Sequence, residues 1–411
     1  MDHRTKAAAR GSGATSHSGV SINPKSLYPH STVTHADGMR VSYPQASQLV
    51  LHQNVEDRIF PSTTSTAGIL SGGFCDIRIP AGSVQVVKTL TLELVITNGS
   101  GAAVVPAQGT SIAPGQILLE RVEILAEGGS QLISRHEGFQ GLFLSDYRQL
   151  DPVASSFLRQ ACDLGASIAA GASTTIYIPI LWSALNNVFM GAFKADVYVR
   201  CWFKGASAWQ TAATIPTLSS LNLYVGQDHL GRAEHAALME RGRSQVLDFR
   251  FQRPSFQSIT DNLTASNRTQ YQLSAVHGLI SQMMITVRLA SATGSGLNTL
   301  VEPAKIELLD SSGQNLMGGA PLPAEYLRWV KTSHTSSNPE MQIGPLFLDF
   351  GASRAALENG SLPGYIVADG ALQLAITMPA GMASASYEIR VDYNAAARMR
   401  IAMGSVEILP S

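Results

Sequence analysis

VEILAEGGSQLI, residues 122–133, returns in the second half of the chain as IELLDSSGQNLM, residues 306–317. Glu123/Glu307, Leu125/Leu309, Gly129/Gly313 and Leu132/Leu316 are identical, and most of the other apolar sites stay apolar. Each copy reads as a β-hairpin, turning at Gly128-Gly129 in the first and at Ser312-Gly313 in the second. A chain that writes one hairpin twice, half its length apart, invites a search for a duplicated domain around it.

The neighbours of the hairpins repeat as well. In TLTLELVIT the residues Leu90, Leu92, Leu94 and Ile96 point one way and Thr89, Thr91 and Glu93 the other. ADVYVRCWF sets Val197, Val199, Cys201 and Phe203 against Asp196, Tyr198 and Arg200, and SLNLYV adds Leu221, Leu223 and Val225. The second half does the same. Ile285, Val287 and Leu289 oppose Thr286 and Arg288; Leu372, Leu374, Ile376 and Met378 share a side; Ile389, Val391 and Tyr393 oppose Glu388, Arg390 and Asp392. This alternation predicts antiparallel strands with one buried face.

The order of elements is shared too. A strand runs into a Gly-Ser-Gly turn (Gly99 to Gly101, Gly294 to Gly296) and then into the repeated hairpin. A short helical pattern follows, marked by Phe139, Leu142, Phe143 and Tyr147 in one half. In the other it is marked by Tyr326, Leu327 and Val330 behind Pro321 and Pro323. Each half then gives a strand (TIYIPIL, PLFLDF), a loop and two more strands. Between them, RAEHAALMERG predicts a linker helix ending at Gly242.

The expected organisation is a mobile N-terminal arm over 1–45, a first β-domain over 46–230, a linker helix over 231–245 and a second β-domain over 246–411. The fold class is all-β: two tandem eight-stranded jelly-roll β-sandwiches with short inserted helices.

Composition narrows the function classes. Charged residues are 14% of the 411, against roughly 25% in an average soluble protein, and the net charge is −1. A surface so poor in charge is expected where much of it ends in contacts, or where it is simply rich in Ser, Thr and Ala. The balance argues against a body that grips nucleic acid. Cys75, Cys162 and Cys201 form no CxxC pair, and two of the three lie on the apolar side of strand-like segments, which predicts buried free thiols. The first twenty residues lack an apolar stretch of signal-peptide type, and no segment sustains a membrane-spanning helix.

No catalytic constellation emerges. The ten histidines contain no HExxH, and His229 and His235 miss the i,i+4 spacing that would place both on one metal. DSSGQN at Asp310 lacks the carboxylates and closing Glu of a calcium loop and reads as a hairpin turn. There is no GxSxG, GxxxxGK or GxGxxG. The sequons at Asn98, Asn262, Asn267 and Asn359 are near chance for so Ser/Thr-rich a chain. Glu123 and Glu307 fall on the outward side of their strands, where a repeated acid reads as a shared structural contact. Arg4, Lys6 and Arg10 are the candidate contacts to phosphates of nucleic acid or lipid headgroups, the alternative being a solvated tail.

Two consecutive jelly rolls, low charge, a basic N-terminus and the duplicated VEILAEGGSQLI/IELLDSSGQNLM region resemble the double jelly-roll major capsid proteins. These build shells of tailless, often membrane-containing bacteriophages, of large eukaryotic DNA viruses and of adenovirus-type hexons. The resemblance covers residues 50–411 at the level of architecture. It implies a virion protein made in the host cytoplasm, of a bacteriophage, assembling as homotrimers into pseudo-hexagonal capsomers of an icosahedral shell. The implied partners are copies of itself, neighbouring capsomers, penton or minor capsid proteins, and internal membrane lipid or genome through Arg4, Lys6 and Arg10. The implied loops for trimer locking or outer decoration are 204–219 and 351–371. No catalytic residue, cofactor, metal or small-molecule substrate is implied. The alternatives are a carbohydrate- or receptor-binding spike with two β-sandwiches, and a two-jelly-roll glycan amidase. The amidase would carry acids at the domain junction and an export signal, and none is visible.

Overall fold

A strand with one apolar side is stable only when that side is covered, and the chain covers its strands with one another in two similar sandwiches. The computed structural model describes residues 32–35, 40–42, 56–106, 118–137, 160–180, 184–185, 188–210, 215–244, 246–291, 300–317, 319–327, 346–350 and 366–410. Its strands in chain order begin with β1 (Thr32–His35), β2 (Arg40–Ser42), β3 (Glu56–Pro61), β4 (Gly73–Ile79) and β5 (Val86–Thr97). Then come β6 (Leu119–Ala126), β7 (Gln131–Glu137), β8 (Ser173–Pro179), β9 (Val197–Phe203) and β10 (Thr217–Asp228). After helix α1 (Arg232–Ser244) follow β11 (Val246–Leu263), β12 (Arg268–Gln272), β13 (His277–Leu289), β14 (Lys305–Leu309) and β15 (Leu322–Pro323). The last are β16 (Leu346–Asp349), β17 (Ile366–Asp369), β18 (Gln373–Thr377), β19 (Ala385–Ala402) and β20 (Ser405–Pro410).

The first half forms two four-stranded sheets, β3-β10-β5-β8 and β4-β9-β6-β7, all pairs antiparallel. In the second half β11-β19-β13-β16 make one sheet and β12-β18-β14-β15 the other. The two orders are the same when strands are counted from the start of each half. Counting from β3 and from β11, with β17 left out, first pairs eighth, eighth pairs third and third pairs sixth; second pairs seventh, seventh pairs fourth and fourth pairs fifth. That is the jelly-roll order, twice. Four of the described strands lie outside this scheme. β17 adds to β13, β20 adds to β19, and the β1–β2 hairpin adds to β11.

The expected inward residues fill the cores. Leu92, Leu94, Ile96, Val197, Val199, Cys201 and Leu223 are fully buried in the first, and Leu374, Ile376, Ile389 and Val391 in the second. All three cysteines are buried free thiols. Four readings need correction. Leu289, at the last position of β13, is exposed rather than inward. Thr286, Arg390 and Asp392, expected on a wet face, are buried, so the middle of the β13–β19 sheet is covered on both sides. The linker helix runs to Ser244, passing through Gly242 instead of ending there. Residues 366–369, inside the expected loop 351–371, form strand β17. Within the stretch read as an arm, β1 pairs with β11 and β2 pairs with β1, while residues 1–31 lie outside the described residues. The helical pattern at Phe139–Tyr147 and the turn at Gly294–Gly296 also lie outside them. Of the second helical pattern, Tyr326 and Leu327 fall in a helical turn that follows β15, with Val330 outside the described residues.

β11 and β19 are 18 residues each and pair without a break from Val246↔Ala402 to Leu263↔Ala385. Side chains alternate along a strand, so odd-numbered residues share one face. At one end that face supplies Leu263, Tyr387, Ile389, Val391 and Tyr393 to the second core. At the other it supplies Leu247, Phe249, Met399 and Ile401 to the first, joined there by Val406 of β20. One ribbon closes both sandwiches. Met399 is fully buried, so Met399→Ala should cost about 3 kcal/mol of stability. Chemical denaturation measures that cost, and amide exchange should show the loss of protection in β5 and β9 of the first jelly roll, not in β12 and β18.

Candidate functional site: the junction of the two jelly rolls

The face of the ribbon opposite the cores meets the first jelly roll along β7. Across the sheet, Ser258 stands beside Arg390 and Arg390 beside Thr286; Phe256 stands beside Asp392 and Asp392 beside Met284. Arg390 binds Asp392 through both Nε and Nη2 at 2.8–3.0 Å, and Nη2 lies 3.8 Å from Glu137 of β7. Its guanidinium also lies 4.1 Å over the ring of Phe256, which Arg135 of β7 approaches at 5.6 Å. Arg135 Nε donates to Glu137 at 2.5 Å. Arg288 pairs with Glu388 at 2.6 Å, and Ser258 Oγ donates to the same carboxylate.

Burying charges is costly unless each is paired and hydrogen-bonded, and here they are. Burial acts against the Arg390 cation, yet Asp392, Glu137 and Glu388 raise its pKa above the ordinary value and hold it charged. Burial pushes Asp392 up against the opposing pull of Arg390. Glu388, for which burial acts upward, is held below the usual carboxylate range by Ser258 and Arg288. The odd member is Lys204, just past β9. Burial and the charges of Arg288 and Arg390 push its amine down to about 8, against the pull of Glu120 and Glu137.

A second contact closes the far end. The β19–β20 turn places Met403 and Gly404 at φ 51° and 83°. A Cβ on Gly404 would fall 2.2 Å from Lys194 Cγ of the first jelly roll, so glycine is needed for space as well as for backbone. Beside it, Glu127 of the β6–β7 turn accepts from Ser405 Oγ at 2.9 Å and from Val406 N–H at 3.0 Å. These bonds, Val406 first, hold the Glu127 carboxyl low.

The site residues named from sequence fall as follows. Glu123 accepts from Trp202 Nε1 at 2.9 Å and pairs with Arg121, while Glu307 pairs with Arg268 at 2.6 Å. Both are structural contacts on the outer faces of equivalent sheets. Asp310 caps its turn by accepting from the N–H groups of Ser312 and Gln314. His235 packs edge-on against Phe189 at 5.6 Å. Asn98 is wholly buried and donates to the carbonyls of Ala102 and Ile168. Arg4, Lys6 and Arg10 lie outside the described residues. The junction itself was missed: Arg390 and Asp392 read as a polar side of an ordinary strand. The available signal was the length of the alternation beyond Tyr393, longer than one sandwich needs.

Chemically the junction is a fastening. Its acids, Glu137, Glu388 and Asp392, are each bound by an arginine, which leaves no poised carboxyl pair. Among the described residues no group of three or more His, Cys, Asp and Glu is placed to hold a metal ion. No helix among them is long and apolar enough to cross a membrane.

Two predictions follow from the charges. Arg390→Met should lose about 3–5 kcal/mol by stranding Asp392, and Asp392→Leu added to it should restore most of that. A denaturation double-mutant cycle reads both; additive losses would contradict the pairing. The Lys204 amine is held down when folded but returns to 10.5 when unfolded, so the folded chain is at a disadvantage at pH 7 that disappears as pH rises from about 8 towards 10.5. Lys204→Met should therefore melt higher than the parent at pH 7, with the gap closing by pH 10.

No protein-family model and no curated protein sequence matches the chain. Solved structures do. PBCV-1 VP54, fitted into a reconstruction of the virophage Sputnik, superposes with TM-score 0.65 at 15% identity, over 87% of this chain and 97% of that one. The Faustovirus major capsid protein gives 0.62 at 10% identity, over 87% and 90%. The mavirus major capsid protein gives 0.50 at 12% identity, over 86% and 90%. Each match covers 86% or more of this chain, and the chain has the double jelly-roll fold of viral major capsid proteins.

Proposed function

We propose that this chain is the major capsid protein of an icosahedral virus and that it works as a homotrimer whose six jelly rolls make a pseudo-hexagonal block. The observation that carries the reading is the strand order, which is the same in both halves. Three copies of a chain with two like domains present six like faces around a threefold axis, so one gene product tiles a shell nearly sixfold. The ribbon shared by both cores supports this, because a tile must keep its two halves in fixed relation. The charge-poor surface supports it too, since attraction between tiles then comes from burial of area.

On this reading the protein is structural and not an enzyme, and it resides in the virion shell after synthesis in the host cytoplasm. Its further partners are neighbouring capsomers and penton or minor capsid proteins. The N-terminal Arg4, Lys6 and Arg10 face internal membrane lipid or genome. Assignment to a bacteriophage in particular rests on the sequence resemblance alone.

Light scattering on the purified chain should give the mass of three 43.7 kDa chains, and negative-stain images should show hexagonal blocks. A monomer that persists across salt concentrations would overturn the reading. Removal of residues 1–20 should leave trimers intact and impair closure around membrane or genome; normal closure would remove that role from Arg4, Lys6 and Arg10.

A further inference from the structure

The junction inside the chain is a contact between unlike faces. Counted by strand, the sheet β3-β10-β5-β8 of the first jelly roll corresponds to β11-β19-β13-β16 of the second, and β4-β9-β6-β7 to β12-β18-β14-β15. Arg135 and Glu137 pair with Glu123 and Arg121, so they stand on the side of their sheet away from the core residues Val122 and Ile124. They meet Phe256 and Arg390 on the outer side of the ribbon sheet. The chain thus docks the outer face of one sheet type on the outer face of the other, and buries Thr286, Arg390 and Asp392 by doing so.

One face of each type is left over. On the outer side of β3-β10-β5-β8, Ile59 stands beside Tyr224, and in the next row Asn222 stands beside Glu93 and Glu93 beside Tyr177. Ile59 is 53% exposed and Tyr177 40%. Glu93, the single charge in these two rows, accepts from Asn222 Nδ2 at 2.7 Å, from the Tyr177 hydroxyl at 3.0 Å and from the Tyr224 hydroxyl at 3.3 Å. The two tyrosine rings stand edge to face at 6.2 Å. An apolar and aromatic patch is therefore held in place before anything binds it, which lowers the ordering cost of a contact.

The leftover face of the second jelly roll is polar. Arg268, Gln270 and Gln272 alternate with the core residue Tyr271, and Lys305 and Glu307 with Ile306 and Leu308, so all five point outward. Arg268, Gln270, Gln272 and Lys305 are exposed. Its two cations outnumber Glu307, which complements the lone acid Glu93 on the other face. In the second jelly roll, the sheet equivalent to β3-β10-β5-β8 is already covered, and its cover is a jelly-roll sheet of the other type. That sheet type is what the second jelly roll of another copy still presents. A contact between unlike faces passes from copy to copy in one sense until the rotation closes.

We propose that the outer face of β3-β10-β5-β8, around Ile59 and Tyr177, receives the second jelly roll of a neighbouring copy, which docks through the outer face of β12-β18-β14-β15. This rests on the shell-protein reading and adds to it the two faces that meet and the head-to-tail sense of the ring. The contact between copies repeats the contact that joins the two halves of one copy.

The test uses the full-length chain with Thr175→Cys and Gln270→Cys, singly and together; both positions are exposed on the two faces, and the native cysteines are buried. A short bifunctional maleimide followed by a denaturing gel should give covalent dimers and trimers from the double variant and none from either single variant. Thr89→Cys, also exposed, in place of Thr175→Cys repeats the test at a second point. Ile59→Asp should raise the concentration at half-assembly about tenfold in light scattering, with circular dichroism melting unchanged; if it melts lower, the cysteine pairs decide. Product from a single variant means that like faces meet, which overturns the inference. Double variants that assemble yet give no product overturn it as well and leave the shell reading standing. A wild-type chain that never assembles overturns the shell reading itself, and the inference with it.

Discussion

The structure depends on one continuous antiparallel pairing, β11 with β19. Two strands of 18 residues hold register along their whole length, which is far longer than one sandwich needs, and the surplus closes the neighbouring sandwich. Because backbone hydrogen bonds run unbroken through the junction, the two jelly rolls cannot swing about a loop. Bending them apart would break the ladder and open the first core at Leu247, Phe249, Met399 and Ile401 together. Tandem domains are usually joined by a linker and move relative to one another unless their shared interface is large. Here the linker helix α1 is present, but the sheet does the fixing.

The ribbon has a second consequence. One of its faces walls the cores, and the other is pressed against β7, so the middle of the sheet has no wet side. The residues there are not the Val and Ile runs expected of strands buried on both faces. They are Gln282, Thr286, Arg390, Asp392 and Asn394. An apolar junction of the same volume would be at least as stable, since a buried ion pair roughly breaks even with hydrophobic packing. What the ionic junction adds is direction. Arg390 reaches Asp392 on its own strand and Glu137 on the other jelly roll, and the Phe256 ring lies between Arg390 and Arg135, one arginine from each half. An apolar face tolerates sliding, whereas these partners are met at one offset only.

The same outward alternation in the sequence has two outcomes in the fold, and this explains the misreadings. Thr89, Thr91 and Glu93 and Asp196, Tyr198 and Arg200 alternate with core residues and keep some exposure. Thr286, Arg390 and Asp392 alternate in the same way and are buried. Period-two pattern tells which residues share a side; it carries no information about whether a second layer covers that side. Leu289 fails at a strand end. Its phase is right, but it is the last residue of β13 and, although paired with Tyr387, its side chain is left exposed. The helix boundary at Gly242 fails because a glycine costs a helix interior only about 1 kcal/mol and does not by itself end the element, which runs to Ser244.

Local chemistry was enough to determine the duplication, the inward set of nearly every strand, the turns at Gly129 and Gly313 and the free state of the three cysteines. Each of these depends on residues close in sequence or on the alternation of one strand, so each is written where it acts. The long-range facts were decided only in three dimensions: that one ribbon serves both cores, that its polar side is sealed by β7, and that Glu127 fastens the last hairpin. They join residues more than a hundred positions apart, as Glu127 to Ser405 and Glu137 to Arg390. No local preference encodes such a pairing, because it arises only when two independently satisfied sandwiches are brought face to face.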